Sequence, residues 1–182
     1  MNSFVIGTNE CYEAPDAQII KVTGRFHAEI HRKDGTVVDL GFLNGVTNTG
    51  FNLMLDSTFR SASISPISTW YIGLISNSGF SALNATDTMS SHSGWTEDST
   101  HYTASNRPTW TPSAAASKSI TNSSSVNFAI NTDSTVIKGI FVTSDNTLGG
   151  TGGTLWSTGL FGSDQTLFNG DTLKITYTVT LS

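Results

Sequence analysis

Charge and cysteine are both scarce in this chain of 182 residues. Asp, Glu, Lys and Arg together make up 13% of the residues, the net charge is −5, and Cys11 is the single cysteine. One cysteine cannot form an internal disulfide, so the fold must be stable without covalent cross-links. No basic stripe with interleaved aromatic residues occurs, which argues against nucleic acid as a partner.

Long hydrophobic runs are also missing. No segment approaches the roughly 20 consecutive apolar residues that a membrane-spanning helix requires. The first residues, 1–7, lack the positively charged start of a signal peptide. We therefore expect no membrane partner. The length suits one domain, or one domain with a small appendage.

Sequence patterns that carry catalysis are absent. His27 and His31 have the spacing of a helical metal pair, but the surrounding alternation favours a strand, where the same spacing separates the rings by about 13 Å. His92 precedes Trp95 and Glu97, yet no Gly-x-Ser-x-Gly elbow occurs and no cysteine lies near a histidine. The favoured interpretation of that segment is a loop anchored by Trp95 as a packed aromatic. We predict no enzymatic activity, no catalytic residue and no cofactor.

Four aspartates in oxygen-rich turns are further candidates for metal ligands, besides the histidines. The aspartates expected in turns are Asp133, Asp145, Asp164 and Asp171. Turn chemistry alone explains each of them, and the spaced Asp-x-Asp-x-Asp-Gly calcium pattern is absent. We predict no metal site, although a calcium ion held by a turn remains an alternative. The glycine-rich stretch 147–154 lacks the Gly-Lys-Ser/Thr of a phosphate loop and is expected to be a flexible hairpin tip.

A hairpin and one helix are predicted in the first third of the chain. From Gly24 onward, apolar and polar residues alternate, with Phe26, Ala28 and Ile30 on one face. An Asp-Gly pair at 34–35 then predicts a hairpin turn. Residues 51–59 place five side chains on one helical face, with the N-cap at one of residues 47–49. These five are Phe51, Met54, Leu55, Thr58 and Phe59.

Strand patterns and turn clusters dominate the rest. The candidate strands are residues 70–75, 100–103, 125–130, 136–143, 154–160 and 172–181. The fold class is therefore mainly β, and we predict a jelly-roll-like antiparallel β-sandwich with an N-terminal arm, a hairpin and one short helix. The predicted division is an extended arm over 1–22, a hairpin-helix unit over 23–62 and a β-sandwich over 69–182.

Aromatic residues in long loops are the candidates for an interface. The loops 77–99 and 106–121 are long for a compact domain, and such loops often form contacts. They contain Phe80, Trp95 and Trp110, and aromatic residues are enriched in protein interfaces. The arm adds Phe4 and Ile6, which we expect to pack on the same domain or on a neighbouring subunit.

Four strings carry a resemblance to a known class of proteins. They are residues 71–75 (Tyr-Ile-Gly-Leu-Ile), 87–95, 106–110 (Asn-Arg-Pro-Thr-Trp) and 153–157 (Gly-Thr-Leu-Trp-Ser). The chain resembles virion structural proteins of tailed bacteriophages over about residues 24–181. The resemblance implies a head decoration, or cement, protein on the outer capsid surface. The implied partners are the major capsid protein and copies of the chain itself, with a homotrimer as the first choice.

A tail or fibre module that binds a host receptor or carbohydrate is the alternative. In that case Trp95 and Trp110 would be exposed and could stack on sugar rings. Burial of the two indoles between subunits would instead favour an assembly role.

Overall fold

A computed structural model of the protein describes residues 20–60 and 65–182. The fold is mainly antiparallel β, as predicted. The elements, in chain order, are β1 Val22–His31, β2 Val37–Val46, α1 Asn48–Phe59, β3 Trp70–Ser76, β4 Glu97–Asp98, β5 Thr109–Trp110, β6 Ser119–Thr121, β7 Val126–Ala129, β8 Thr135–Thr143, β9 Leu155–Leu167 and β10 Thr172–Leu181.

One curled sheet joins these strands. Its order is β4-β3-β8-β9-β2-β1-β10-β6, with β5 paired to β3 and β7 paired to β10. The curl brings its two halves face to face, because Phe26 and Ile175 from one half share a buried core with Ile72 and Ile140 from the other. This arrangement is consistent with the predicted sandwich-like packing.

The predicted hairpin forms the middle of this sheet. Phe26, Ala28 and Ile30 are fully buried, as their alternation predicts, and Gly35 has the positive φ that a tight turn favours. β1 pairs with β10 along its whole length, and β2 pairs with β9. The hairpin therefore shares one core with the later strands. The predicted division instead separates a hairpin-helix unit from the sandwich. The sequence does not indicate the shared sheet, because the strands that pair with β1 and β2 lie more than a hundred residues later in the chain.

Two local predictions are wrong. Residues 100–103 were expected to form a strand, but only Tyr102 makes an isolated bridge, to Ile130. The Asp98 carboxylate accepts hydrogen bonds from the backbone N–H groups of residues 100 and 101, which turns the chain there. Asp164 was expected in a turn, but it lies within β9, which continues to Leu167, and it pairs with Lys138 at 2.6 Å.

The helix begins where it was predicted to begin. Thr47 is its N-cap, and the Thr47 side chain accepts a hydrogen bond from the N–H of Gly50 at 3.0 Å. The Thr47 hydroxyl also donates to the carbonyl of Leu155 at 2.5 Å, and its N–H donates to the carbonyl of Trp156. One side chain therefore both starts α1 and fixes the helix to the beginning of β9.

Candidate functional site

Trp95 anchors the long loop between β3 and β4, in line with the favoured interpretation of that segment. Its indole is 1% exposed and packs at 5.1 Å from the Phe141 ring. The indole N–H donates to the Asp87 carboxylate at 3.0 Å, and the His92 ring stacks on the indole at 4.0 Å. Together with Met89, Trp95 belongs to a second apolar cluster beneath the loop. Trp95 thus lies inside the chain, although it was a candidate interface residue.

Trp110 is likewise buried by residues of its own chain. It is 6% exposed, and its indole N–H donates to the Asn122 side-chain oxygen at 2.6 Å. Phe80 is half-buried against the second cluster, with the Lys138 ammonium 5.2 Å from its ring. Phe4 and Ile6 lie outside the described residues. Roles for these four residues and for Trp95 at an interface stay predictions.

A buried ion pair holds the glycine-rich loop that follows β8. Arg107 has a fully buried side chain and donates from Nε and Nη2 to both oxygens of Glu97 at 2.8 Å. Arg107 also donates to the carbonyls of Asp145 and Gly150, while the N–H of Gly149 donates to Glu97 at 2.7 Å. Four of the five guanidinium N–H groups are therefore hydrogen-bonded within the chain, and the Asp145 carboxylate lies 3.6 Å from Nη1. The predicted hairpin tip is therefore held at its base by this bidentate pair.

Sequence reasoning missed this ion pair. Glu97 lies in the two-residue strand β4, and Arg107 lies ten residues later in a loop. Neither segment has a periodic pattern, so nothing in the sequence pairs the two residues. The one available signal is that Arg107 precedes Pro108 and Trp110 in a chain with few charges.

The histidines do not form a shared site. His27 and His31 lie on β1, as predicted, and each has its own carboxylate partner: Asp39 at 2.9 Å and Glu29 at 2.8 Å. His101 contacts Asp98 at 2.8 Å. Within residues 20–60 and 65–182, no group of three or more His, Cys, Asp or Glu residues is placed to hold a metal ion.

Asp171 is a structural carboxylate at the turn before β10. It is 3% exposed and accepts hydrogen bonds from the Arg32 guanidinium at 2.6 Å and from the N–H groups of Lys33 and Phe168. Burial alone would raise its pKa, but the Phe168 N–H, the Arg32 guanidinium and the Lys33 N–H together lower the pKa below its ordinary value. The carboxylate ties the β1–β2 turn to the β9–β10 turn.

The apolar face of α1 points to solvent. Gly50 is buried against Trp156, whereas Phe51, Leu55 and Phe59 are 38%, 52% and 80% exposed. These three residues recur every four positions, so they form one continuous ridge along the helix. We refer to Phe51, Leu55 and Phe59 as the α1 ridge. Large apolar side chains aligned in this way are typical of a contact surface.

A second apolar feature lies at the end of the sheet from which α1 starts. It is a cavity of about 210 Å³, called here the tryptophan cavity. Its walls are Trp70, Trp110, Ile120, Val142, Trp156, Tyr177 and Val179. The strand registers place all of these residues at one end of the curled sheet.

Tyr177 organises the base of this cavity. Its hydroxyl accepts from the Trp156 indole N–H at 2.8 Å and from the Asn44 amide at 3.0 Å, and it lies 3.2 Å from the Ser157 hydroxyl. Burial raises the pKa of Tyr177, while the hydrogen bonds from the other three side chains oppose that rise. The phenol is a neutral hydrogen-bond hub, and its ring also packs on Trp110 at 5.5 Å.

No helix among the described residues is both long enough and apolar enough to cross a membrane. The arrangement thus offers packed aromatic clusters, internal ion pairs and an exposed apolar ridge.

Comparison with known proteins gives the family. Residues 45–180 match the family described as "Podophage GP4 fiber I protein gp80". No curated protein matches the chain. The matched range runs from the end of β2 to the end of β10 and includes α1 and most of the sheet. The chain therefore belongs to the podophage GP4 fiber I protein gp80 family and is a structural protein of tailed-phage virions.

Proposed function

We propose that this protein is a structural module of a phage tail fibre and that it has no enzymatic role. The family match carries this proposal, because the description of the family names a fibre protein. That description favours the fibre alternative over the head decoration role implied by the sequence resemblance. The internal geometry supports a load-bearing part, since long loops are fixed by Trp95 and by the Arg107–Glu97 pair.

Self-association through the α1 ridge is the proposed means of assembly. Ridges formed by residues four apart pack into the grooves of a second helix, so copies of α1 could pack together about a symmetry axis. A homotrimer remains the proposed oligomer. The ridge is apolar, and the charges on the helix and at its C-cap, Asp56 and Arg60, are paired with each other at 3.0 Å. Helix association would therefore leave no buried charge unpaired.

Sugar stacking by Trp95 and Trp110 is not part of the proposal. Both indoles are buried in the chain, and their N–H groups are hydrogen-bonded internally. A receptor-facing role would need another surface. We therefore propose a place in the fibre shaft or its attachment rather than at a sugar-binding tip.

The double variant Leu55→Ser/Phe59→Ser tests this proposal. Both side chains are at least half exposed, so the monomer should keep its fold while losing the contact surface. We expect light scattering to give the mass of a monomer for the variant and of an oligomer for the wild type. Phages that carry the variant should show normal heads and lack a fibre in electron micrographs.

Phe168→Ser is the matched control, because Phe168 is 45% exposed and lies at the opposite end of the sheet. It should leave both the oligomer and the virion unchanged. Heads that break or lose surface material when α1 is altered, with fibres intact, would contradict the proposal.

A further inference from the structure

Two apolar features of the chain lie at opposite ends of α1. The tryptophan cavity is beside the beginning of the helix, because Gly50 packs against Trp156, which is one of the cavity walls. Phe59 is the last residue of α1, so it lies about 13 Å along the helix axis from Gly50. Phe59 is 80% exposed, the highest value for a large apolar side chain within residues 20–60 and 65–182. Phe59 therefore does not fill the cavity of its own chain.

The size of the cavity suits one phenyl ring. Its volume is about 210 Å³. An apolar protein cavity of about 150 Å³ takes up a benzene molecule. Val142 and Tyr177 are buried walls of the cavity, whereas Trp70 and Val179 are only half-buried. A side chain from outside can therefore enter past the half-buried walls.

The polarity of the cavity suits an apolar side chain. The indole N–H groups of Trp110 and Trp156 are already hydrogen-bonded within the chain, and the seven wall residues are uncharged. At the other end of α1, the charge beside Phe59 is Arg60, which pairs with Asp56 at 3.0 Å. Insertion of Phe59 would therefore bury no unpaired charge and would break neither indole hydrogen bond.

The α1 ridge alone covers too little area for a stable contact. A side chain of this size presents about 200 Å² when it is fully exposed. The exposed fractions of the three ridge residues then amount to an area on the order of 300 Å². Stable interfaces bury about 800 Å² on each partner, so the ridge side chains supply less than half of it. A contact that also covers the tryptophan cavity adds apolar surface from the sheet beside α1.

We propose that Phe59 of one copy occupies the tryptophan cavity of the next copy. This inference rests on the self-association proposed above and specifies its contact. Because Phe59 and the cavity lie at different ends of α1, the contact is head-to-tail, and each copy inserts one Phe59 and receives another. Contacts of this kind close into a ring when a rotation axis relates the copies. The proposed homotrimer would contain three equivalent contacts.

Photo-cross-linking of the full chain tests the contact. Photoreactive para-azidophenylalanine, which is close to phenylalanine in size, replaces Phe59, and the cross-linked peptides are mapped by mass spectrometry. We expect a product with the mass of two chains, in which position 59 is joined to a peptide that contains Trp70, Trp156 or Val179. The same group at position 168, at the opposite end of the sheet, should give no such product.

The outcomes of this experiment separate the inference from the proposal on which it rests. An oligomer in which position 59 is joined to α1 of the second copy would overturn the inference and leave self-association standing. A wild-type protein with the mass of a monomer in light scattering would overturn both. A cross-linked product with the mass of one chain, or no product, would overturn the inference.

Two complementary variants give an independent readout. Phe59→Ser removes the inserted side chain and keeps the cavity, whereas Val179→Trp fills the cavity from its wall and keeps Phe59. Light scattering should give the mass of a monomer for each variant alone, with circular dichroism showing that each is folded. An equal mixture of the two should form dimers, because one head-to-tail contact remains possible between them.

Thr176→Trp is the matched control, because Thr176 lies on the opposite face of the same strand and pairs with His27. It should keep the mass of the wild-type oligomer. The wild-type mass for Val179→Trp, or a mixture of folded variants that stayed monomeric, would overturn the inference. If Val179→Trp does not fold, the cross-link from position 59 decides.

Discussion

At the residue scale, the chain has few charged residues, and the buried ones determine how neighbouring segments pack. Arg107 and Glu97 are nearly inaccessible, and Arg107 compensates the charge of Glu97. The Asp145 carboxylate lies 3.6 Å from the same guanidinium. Buried pairs of this kind add little net stability over apolar residues, but breaking one partner leaves an uncompensated charge. The pair therefore specifies how β4, the loop that carries Arg107 and the glycine-rich tip fit together.

The Arg107→Met variant should lose about 3–5 kcal/mol of unfolding free energy, because Glu97 then stays buried without its cation. Denaturant unfolding followed by circular dichroism measures this loss. The Arg107→Met/Glu97→Met variant should recover part of it. Arg60→Met is the control, since Arg60 is 64% exposed in its pair with Asp56 and should cost at most about 0.5 kcal/mol. Equal effects at positions 107 and 60 would refute a special role for the buried pair.

Asp171 predicts a pH-dependent contribution to stability. Its pKa in the folded state is lowered, so its stabilisation is present above the unfolded-state pKa of about 3.9 and is lost as the pH falls through the folded-state value. Asp171→Asn should therefore cost about 1–3 kcal/mol at neutral pH.

The difference between Asp171→Asn and wild type should shrink below about pH 4, because the wild-type carboxylate then becomes protonated. Thermal unfolding across pH 3 to 7 measures it. Asp164→Asn alters an exposed pair with Lys138 and should cost less than about 1 kcal/mol. A difference for Asp171→Asn that stayed constant with pH would contradict the assignment.

At the element scale, strong periodicity made the long elements predictable. The alternation in β1 and β10, the Asp-Gly turn and the Thr47 cap all agree with the structure. The strands β4, β5 and β6 have only two or three residues each. Such short pairings leave no periodic pattern, because tertiary neighbours decide them.

The side of α1 that packs on the sheet was not predictable. The sequence marks an apolar face, and the simplest expectation is that such a face packs on its own domain. In the structure a glycine makes the close contact instead. Gly50 allows α1 to approach the Trp156 backbone, and the α1 ridge is left exposed.

Gly50→Ala should destabilise the protein although alanine is the better helix former by about 1 kcal/mol. A Cβ atom at position 50 would lie 2.5 Å from the Trp156 carbonyl oxygen. Relieving that overlap should cost about 1–3 kcal/mol. Gly45→Ala is the matched control, because its Cβ would meet nothing within 4 Å, and thermal unfolding compares the two. A Gly50→Ala protein as stable as wild type would show that α1 does not pack closely on β9.

At the scale of the whole molecule, distant pairing determines the architecture. The sheet places the β1–β2 hairpin between β9 and β10, and the sequence gives no signal for either pairing. The predicted fold class, mainly β, is nevertheless confirmed. Composition and turn spacing indicate the fold class whatever the order of the strands in the sheet. The interface assignment of the aromatic residues in the two loops rests on loop length and stays a prediction. Within one chain, Trp95 and Trp110 are buried.

The central claim is that this β-module builds a fibre and does not cover the head. The family description supports it. The most direct test is the copy number of the protein relative to the major capsid protein in purified virions, measured by quantitative mass spectrometry. A fibre component should be present at a few or a few dozen copies per particle. A copy number comparable to that of the capsid subunit would contradict the claim and return the protein to the capsid surface.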